Sequence, residues 1–257
     1  MRVVAVPALL IGLWLPATEE PGRPEITVYV AASLRDAMEK LTPVCEEATG
    51  TRLVFNFGAS NDLERQIEAA NKADVFFSAD QSWMDRLEQA GMVDGDSRRA
   101  PLSNRLVVVA PRDSAIAIHS AADLAATKTK WIALANPEVV PAGKYAKAWL
   151  ENAGQWQVVR DRVLPGVDVR AALASVESGA AELGVVYLTD AAISGKVRVL
   201  YEVPEAEGPR IAYALAAIRG RPLLDQARRV TGCLTGSDAA AVYEKLGFVV
   251  LLGEMGR

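Results

Sequence analysis

Twice in close succession a β-branched, aromatic run stops at small residues and an amphipathic helix begins at once. The two stretches are "VYVAASLRDAMEKL" (Val28–Leu41) and "VFNFGASNDLERQIEAA" (Val54–Ala70). A strand that feeds a helix with almost nothing between them is the first half of a crossover unit. The pattern continues along the chain. Strand-like runs stand at Ile26–Val30, Leu53–Phe57, Asp74–Ser78, Leu106–Ala110, Trp131–Ala135, Gly184–Leu188, Val197–Tyr201 and Ile211–Ala217. Helical runs follow Ser33, Ser60, Asp80, Ala142, Val169 and Pro222, and a last one covers Asp238–Leu246. Between Asp80, a good N-cap, and Gly91, a good stop, "QSWMDRLEQA" reads as a clean helix. Strand and helix in alternation predict α/β architecture, a mostly parallel sheet with helices on both faces.

With 257 residues the chain has room for one large core or two modest ones. Two strands about a hundred residues apart, in "VVVAPRDSAI" and "PEAEGPRIAYALAAIRG", are placed to carry the chain out to a second lobe and back. The net charge of −4, with both signs interspersed, recommends no nucleic-acid surface. Arg2 precedes the apolar "VVAVPALLIGLWLPA", which is too short and Pro-interrupted for a good membrane span. Residues 1–17 therefore read as a signal peptide, cut near Ala17. Cys45 and Cys233 are the two thiols of the chain; an exported protein permits a disulfide between them, and two free buried cysteines fit the sequence equally well.

The helix mouths carry the chemistry. The first turn of a helix leaves backbone N–H groups without partners and holds a positive partial charge. Ala31-Ala32-Ser33 and Gly58-Ala59-Ser60 let a ligand approach those groups, and each serine adds a hydroxyl donor. Pro141-Ala142-Gly143 makes a third mouth. Asp168, in cap position before Val169, makes a fourth. Each junction taken singly is ordinary capping chemistry; together they predict a site for a small anion. Catalytic parts are missing. His119 stands alone in "AIAIHSAADL", where it reads as a surface or capping residue. The chain has no Gly-x-Ser-x-Gly elbow, no phosphate-binding glycine spacing and no metal-ligand spacing. The reading is a binding protein and not an enzyme.

Six segments carry a resemblance: "ITVYVAASLRDAMEKL", "FGASNDLERQIEAANKADVFFSADQSWMDRLEQAGMV", "NRLVVVAP", "ANPEVVPAGKYAKAWLE", "DVRAALASVESGAAELGVVYLTDA" and "EKLGF". From about Glu25 to Phe248 they resemble, in order, the periplasmic molybdate-binding proteins of molybdate ABC transporters. The resemblance implies a two-lobed periplasmic binding protein fold of type II, with two mostly parallel sheets and a hinge of two crossover strands. Residues 25–108 and 213–257 would form the first lobe and 109–212 the second. Matched motif by motif, Ser33 and Ser60 would give hydroxyl and backbone donors, Ala142 and Val169 backbone N–H groups, and Tyr187 its phenol. These five would hold the oxygens of molybdate or tungstate, not the metal itself, and no cofactor is implied. The resemblance further implies a periplasmic monomer that delivers its ligand to a membrane permease, with no nucleic-acid partner.

Within the same fold the ligand could be another tetrahedral oxyanion, such as sulfate or phosphate. An oxyanion-sensing regulatory module is the alternative from another class. Asp62, in the first turn after Ser60, is expected to face solvent as a dipole partner; facing the cleft, it would favour a protonated oxyanion. Arg35, Lys144 and Arg170, also in first turns, are expected at the rim.

Overall fold

The computed structural model describes residues 22–251; the leader predicted at 1–17 lies outside them. In chain order the elements are β1 (Glu25–Ala31), a 3-10 turn (Ala32–Leu34), α1 (Arg35–Thr49), β2 (Arg52–Gly58), α2 (Ser60–Ala70), β3 (Val75–Ser78), α3 (Gln81–Gln89) and β4 (Arg99–Ser103). There follow β5 (Leu106–Pro111), α4 (Ala121–Ala126), β6 (Ile132–Ala135), α5 (Pro141–Asn152), α6 (Trp156–Val159), β7 (Val163–Gly166), α7 (Val169–Glu177), β8 (Leu183–Tyr187) and α8 (Leu188–Ala192). The chain ends with β9 (Val197–Glu202), β10 (Tyr213–Ala217), α9 (Leu224–Leu234), α10 (Ser237–Lys245) and β11 (Val249–Val250).

The strands form two sheets, one of six in the order β11-β4-β10-β3-β1-β2 and one of five in the order β7-β6-β8-β5-β9. Both are mixed rather than mostly parallel. β2, β1 and β3 run parallel, as do β7, β6 and β8, because the helices between them carry the chain back to the end of the sheet where the strands start. β10, β4 and β11 pair antiparallel in the first sheet, and β5 pairs antiparallel with both neighbours in the second. Of these, β4 and β5 flank the outward passage between the sheets, and β10 follows the return from β9. The chain leaves the first sheet after Ser103 and joins the second at Leu106; it returns between Glu202 and Tyr213. β5 thus pairs along its length within the second sheet, so the outward passage precedes Leu106 and does not follow Val108.

Burial explains the strand sequences. β3 (VFFS), β6 (IALA), β8 (LGVVY) and β10 (YALAA) are buried at every position, which is why they read as unbroken apolar runs. β9, at an edge, is buried only at Val197 and otherwise half-buried or exposed. In the first sheet the two-residue period divides the core. Val28 and Val30 of β1 pack with α1 and α9, while Tyr29 joins Phe76 and the apolar faces of α2 and α3 on the other side. α1 stops at Gly50, whose φ of 67° is a left-handed conformation that closes the helix. Cys45 of α1 and Cys233 of α9 form a disulfide with a Cα separation of 5.8 Å, which resolves the alternative that the sequence left open.

The elements absent from the sequence reading are short or contain proline or glycine. β4 (RAPLS) and β7 (VLPG) each carry a proline, and β7 lies at an edge, where the missing N–H costs no ladder bond. The predicted strand ending at Leu188 stops at Tyr187, and Leu188 opens α8.

Candidate functional site

The helix mouths converge. Ser33 follows the C-terminal end of β1 and Ser60 that of β2, while Ala142 lies in the first turn of α5, Val169 opens α7, and Tyr187 ends β8. Ligands of open α/β sheets bind outside the carboxyl ends of the strands, and these residues stand there. All five line one cavity, with Ala31, Ala32, Gly58, Ala59 and Ala79 from the first-sheet side and Val140, Pro141 and Asp168 from the second. Its volume is about 20 Å³, room for one small ion and not for a sugar or a nucleotide.

Helix geometry leaves backbone donors at these mouths without intrahelical partners. In α2 the first bonded amides are Asp62 and Leu63, both to Ala59 O, so Ser60 and Asn61 have no intrahelical acceptor. In α5 Lys144 N–H bonds Val140 O, leaving Ala142 and Gly143. In α7 Ala172 N–H bonds Asp168 O and Ala171 N–H bonds Asp168 Oδ1, leaving Val169 and Arg170. α5 comes this close because residue 143 is glycine: a Cβ there would lie 2.1 Å from Ala135 O at the end of β6. The hydroxyls are oriented as well. Ser60 Oγ accepts the Ala79 N–H at 3.0 Å, so its own hydrogen remains for the cavity. Ser33 Oγ lies 3.1 Å from the Tyr213 hydroxyl. Tyr187 is buried, and its phenol oxygen has no hydrogen-bond partner among the described residues. Burial first, then the neighbouring Tyr213, Tyr145 and carboxylates, push that phenol well above its ordinary range, so it stays an O–H donor.

Among the lining residues the one charged side chain is Asp168, whose Oδ1 is taken by the Ala171 N–H at 2.8 Å. Asp62 is not on the wall. It is half exposed, pairs with Arg65 and accepts from Asn61 Nδ2 at 3.0 Å. Arg35 stacks over the Phe57 ring, 4.1 Å from its centroid.

Lys144 and Arg170 do more than occupy a rim. Lys144 Nζ on α5 reaches Asp80 Oδ2 at 2.5 Å and Ser82 Oγ at 2.9 Å, joining a helix of the second sheet to α3 of the first. Arg170 on α7 bonds Asp36 Oδ2 on α1 at 2.6 Å, and its Nε lies 2.5 Å from Asp190 Oδ1. Burial pushes the Asp190 carboxyl above the ordinary carboxylate range, against the pull of Arg170. Two ion pairs therefore bridge the cleft beside the cavity. Their partners lie far away in sequence, and Asp80 had announced only its capping role, which it keeps through Oδ1 and the Ser82 N–H. His119 is exposed, with its N–H on Asp123 Oδ2 at the entry to α4, a surface position as expected. Among the described residues no group of histidine, cysteine and carboxylate has the makings of a metal site.

Comparison with known proteins agrees with this geometry. The family described as Bacterial extracellular solute-binding protein matches residues 26–249. The molybdate-binding protein ModA of Escherichia coli is 38% identical over 88% of this chain and 89% of its own. The protein of the same name from Haemophilus influenzae is 32% identical over 78% of this chain and 81% of its own. Among solved structures, the periplasmic molybdate-binding protein of Azotobacter vinelandii superposes with a TM-score of 0.78, covering 88% of this chain and 99% of that one at 24% identity, a likeness of fold.

Proposed function

The chain belongs to the bacterial extracellular solute-binding proteins, beside the molybdate-binding ModA proteins, and from that premise we propose that it captures molybdate in the cavity between its sheets for an ABC transporter. Ser33 and Ser60 supply hydroxyl and backbone donors, Ala142 and Val169 backbone N–H groups, and Tyr187 its phenol. Tungstate, with the same charge and nearly the same size, is a ligand on the same grounds. The apolar leader at 1–17 supports export to the periplasm, where a membrane permease receives the loaded protein. The first lobe runs from Glu25 to Ser103 and from Tyr213 to Val250, and the second is the part between. Donors from both meet one anion when the cleft is shut, so ligand favours the closed form.

The observation that carries this reading is the Tyr187 phenol, buried on the cavity wall without a protein acceptor. A buried unsatisfied polar group costs about 1–3 kcal/mol, which a bound oxyanion oxygen offsets. A wall built of donors suits a fully deprotonated dianion. Hydrogen phosphate brings a proton that needs an acceptor; Asp62 is turned to Arg65, and Asp168, the one carboxylate on the wall, is engaged as the cap of α7 through the Ala171 N–H. Sulfate meets the charge requirement but is smaller, so donors that contact the oxygens of molybdate together would reach it less well.

Hydroxyl variants test the assignment. Ser33→Ala, Ser60→Ala and Tyr187→Phe are each expected to weaken molybdate binding by roughly ten- to a hundredfold, the worth of a hydrogen bond to a charged group. Arg35→Ala, which removes a cation stacked outside the cavity, is expected to change affinity by a few-fold at most. Calorimetric titration at physiological salt separates the two. Retained affinity in the hydroxyl variants, with loss in the arginine variant, would transfer recognition from neutral dipoles to charge.

A further inference from the structure

Behind Ser33 runs a chain of hydrogen bonds whose direction is fixed at its far end. The Arg105 N–H donates to Asn104 Oδ1 at 2.9 Å, and because an amide N–H can only donate, the Asn104 side chain is oriented. Its Nδ2 then donates to Thr189 Oγ1 at 2.9 Å and to the Tyr213 hydroxyl at 3.2 Å. With Asn104 as its donor, Tyr213 has its own hydrogen left for Ser33 Oγ, 3.1 Å away. Ser33 accepts that hydrogen and keeps its own for the cavity it lines. Asn104 is 5% exposed, Thr189 3% and Tyr213 0%, so solvent does not compete for these groups. Burial holds the Tyr213 phenol far above its ordinary range, and it remains a donor. The relay is rooted in both passages between the sheets: Asn104 lies between β4 and β5, and Tyr213 opens β10 at the end of the return.

We infer that Asn104 and Tyr213 are positioning residues that hold Ser33 as a hydrogen donor toward the cavity, and so set the preference for fully deprotonated over protonated oxyanions. The inference rests on the reading of the cavity as an oxyanion site. Ser60 needs no such relay, since the backbone N–H of Ala79 fixes its polarity directly. Ser33 faces another hydroxyl, and two hydroxyls alone leave the direction of donation open. Asn104 decides it.

Asn104→Asp reverses the sign at the root. A carboxylate still accepts the Arg105 N–H but cannot donate to Tyr213; it draws the phenol hydrogen toward itself, and the Tyr213 oxygen turns acceptor toward Ser33. The Ser33 hydrogen is then drawn away from the ligand, and a lone pair faces the cavity. Molybdate and hydrogen phosphate are both dianions in mildly alkaline buffer, so the added charge weighs on both alike and the ratio of their dissociation constants isolates polarity. In Asn104→Asp the preference for molybdate over hydrogen phosphate is expected to fall about tenfold, one hydrogen bond's worth. In Tyr213→Phe the relay is cut, and the preference falls by several-fold without any added charge. In the double variant Asn104→Asp should add no more than about twofold, because the phenol that transmits its effect is gone; this is a coupling that mere loosening of the fold does not produce.

Competition calorimetry on wild type, Ser33→Ala and these three variants, each checked for a cooperative melt, is the experiment. An unchanged ratio in Tyr213→Phe, or an Asn104→Asp effect that persists in the double variant, overturns the relay while the oxyanion site stands. Wild-type protein that binds neither anion, or Ser33→Ala with undiminished molybdate affinity, overturns the site and the relay with it.

Discussion

Gly143→Ala is expected to lower molybdate affinity by at least about a hundredfold and to destabilise the fold. In an exposed helix the substitution would help, since alanine is favoured over glycine by about 1 kcal/mol. Here the added Cβ would stand 2.1 Å from Ala135 O and 2.7 Å from Asn136 O. Those are backbone atoms at the end of β6, a strand held by β7 and β8 on either side, so they have little freedom to move. The first turn of α5 must retreat instead, and it takes the Ala142 N–H out of the cavity with it. Overpacking of this kind costs typically about 1–3 kcal/mol, occasionally more, against which the propensity gain is small. The binding loss is larger because a short displacement breaks contacts with a charged ligand that tolerates little stretch. Calorimetric titration together with a urea melt measures both effects. A variant of wild-type affinity would mean that α5 does not supply donors to the site.

Replacing both cysteines by serine is expected to reduce stability by about 2–5 kcal/mol while leaving affinity within a few-fold. The Cys45–Cys233 bond closes a sequence separation of 188 residues, so the chain it constrains when unfolded is most of the protein. It joins α1 to α9, both packed on one face of the first sheet. Cys45 lies ten residues along α1 from Arg35, about 15 Å at the helical rise, whereas the cavity is at the entry to that helix. The bond therefore holds the lobe that carries Ser33 and Ser60 without touching the site. Urea midpoints of oxidised wild type and the double variant, read with molybdate titrations of each, check the separation. A collapse of affinity in a variant that still melts cooperatively would place the bond in the binding machinery.

Much of this was legible in the sequence because the features that mattered were local. A strand buried on both faces writes itself as an apolar run, and a helix mouth as small residues, a cap and an amphipathic repeat; the eight predicted strands all appear, within a residue or two at their ends. What escaped was set by contacts between distant parts. β4, β7 and β11 are short or Pro-containing strands that neighbours hold in place. The antiparallel course of β5 and β10 depends on the passages between sheets, which strand and helix propensity do not encode. Ser33, Ser60, Ala142 and Val169 stood out from their own neighbourhoods. Tyr187 ends the apolar strand LGVVY, and it was family resemblance, not its surroundings, that marked it out. Tyr213 and Asn104 gave no signal, since a tyrosine in an alanine-rich strand reads as core and an asparagine before a strand as a turn. The pairing of Lys144 with Asp80 spans 64 residues and that of Arg170 with Asp36 spans 134, beyond any helical spacing rule.

Isothermal titration of the mature, oxidised protein with molybdate, tungstate, sulfate and phosphate, each at physiological salt and followed by competition against molybdate, is the most direct test. The proposed molybdate site of neutral donors requires one site per chain, tight and similar binding of molybdate and tungstate, and binding of sulfate and phosphate weaker by at least about a hundredfold, near 2.7 kcal/mol. Phosphate binding as tightly as molybdate, or displacing it at equal concentration, would contradict recognition by hydrogen donors and give the Asp168 carboxylate on the wall the role of acceptor.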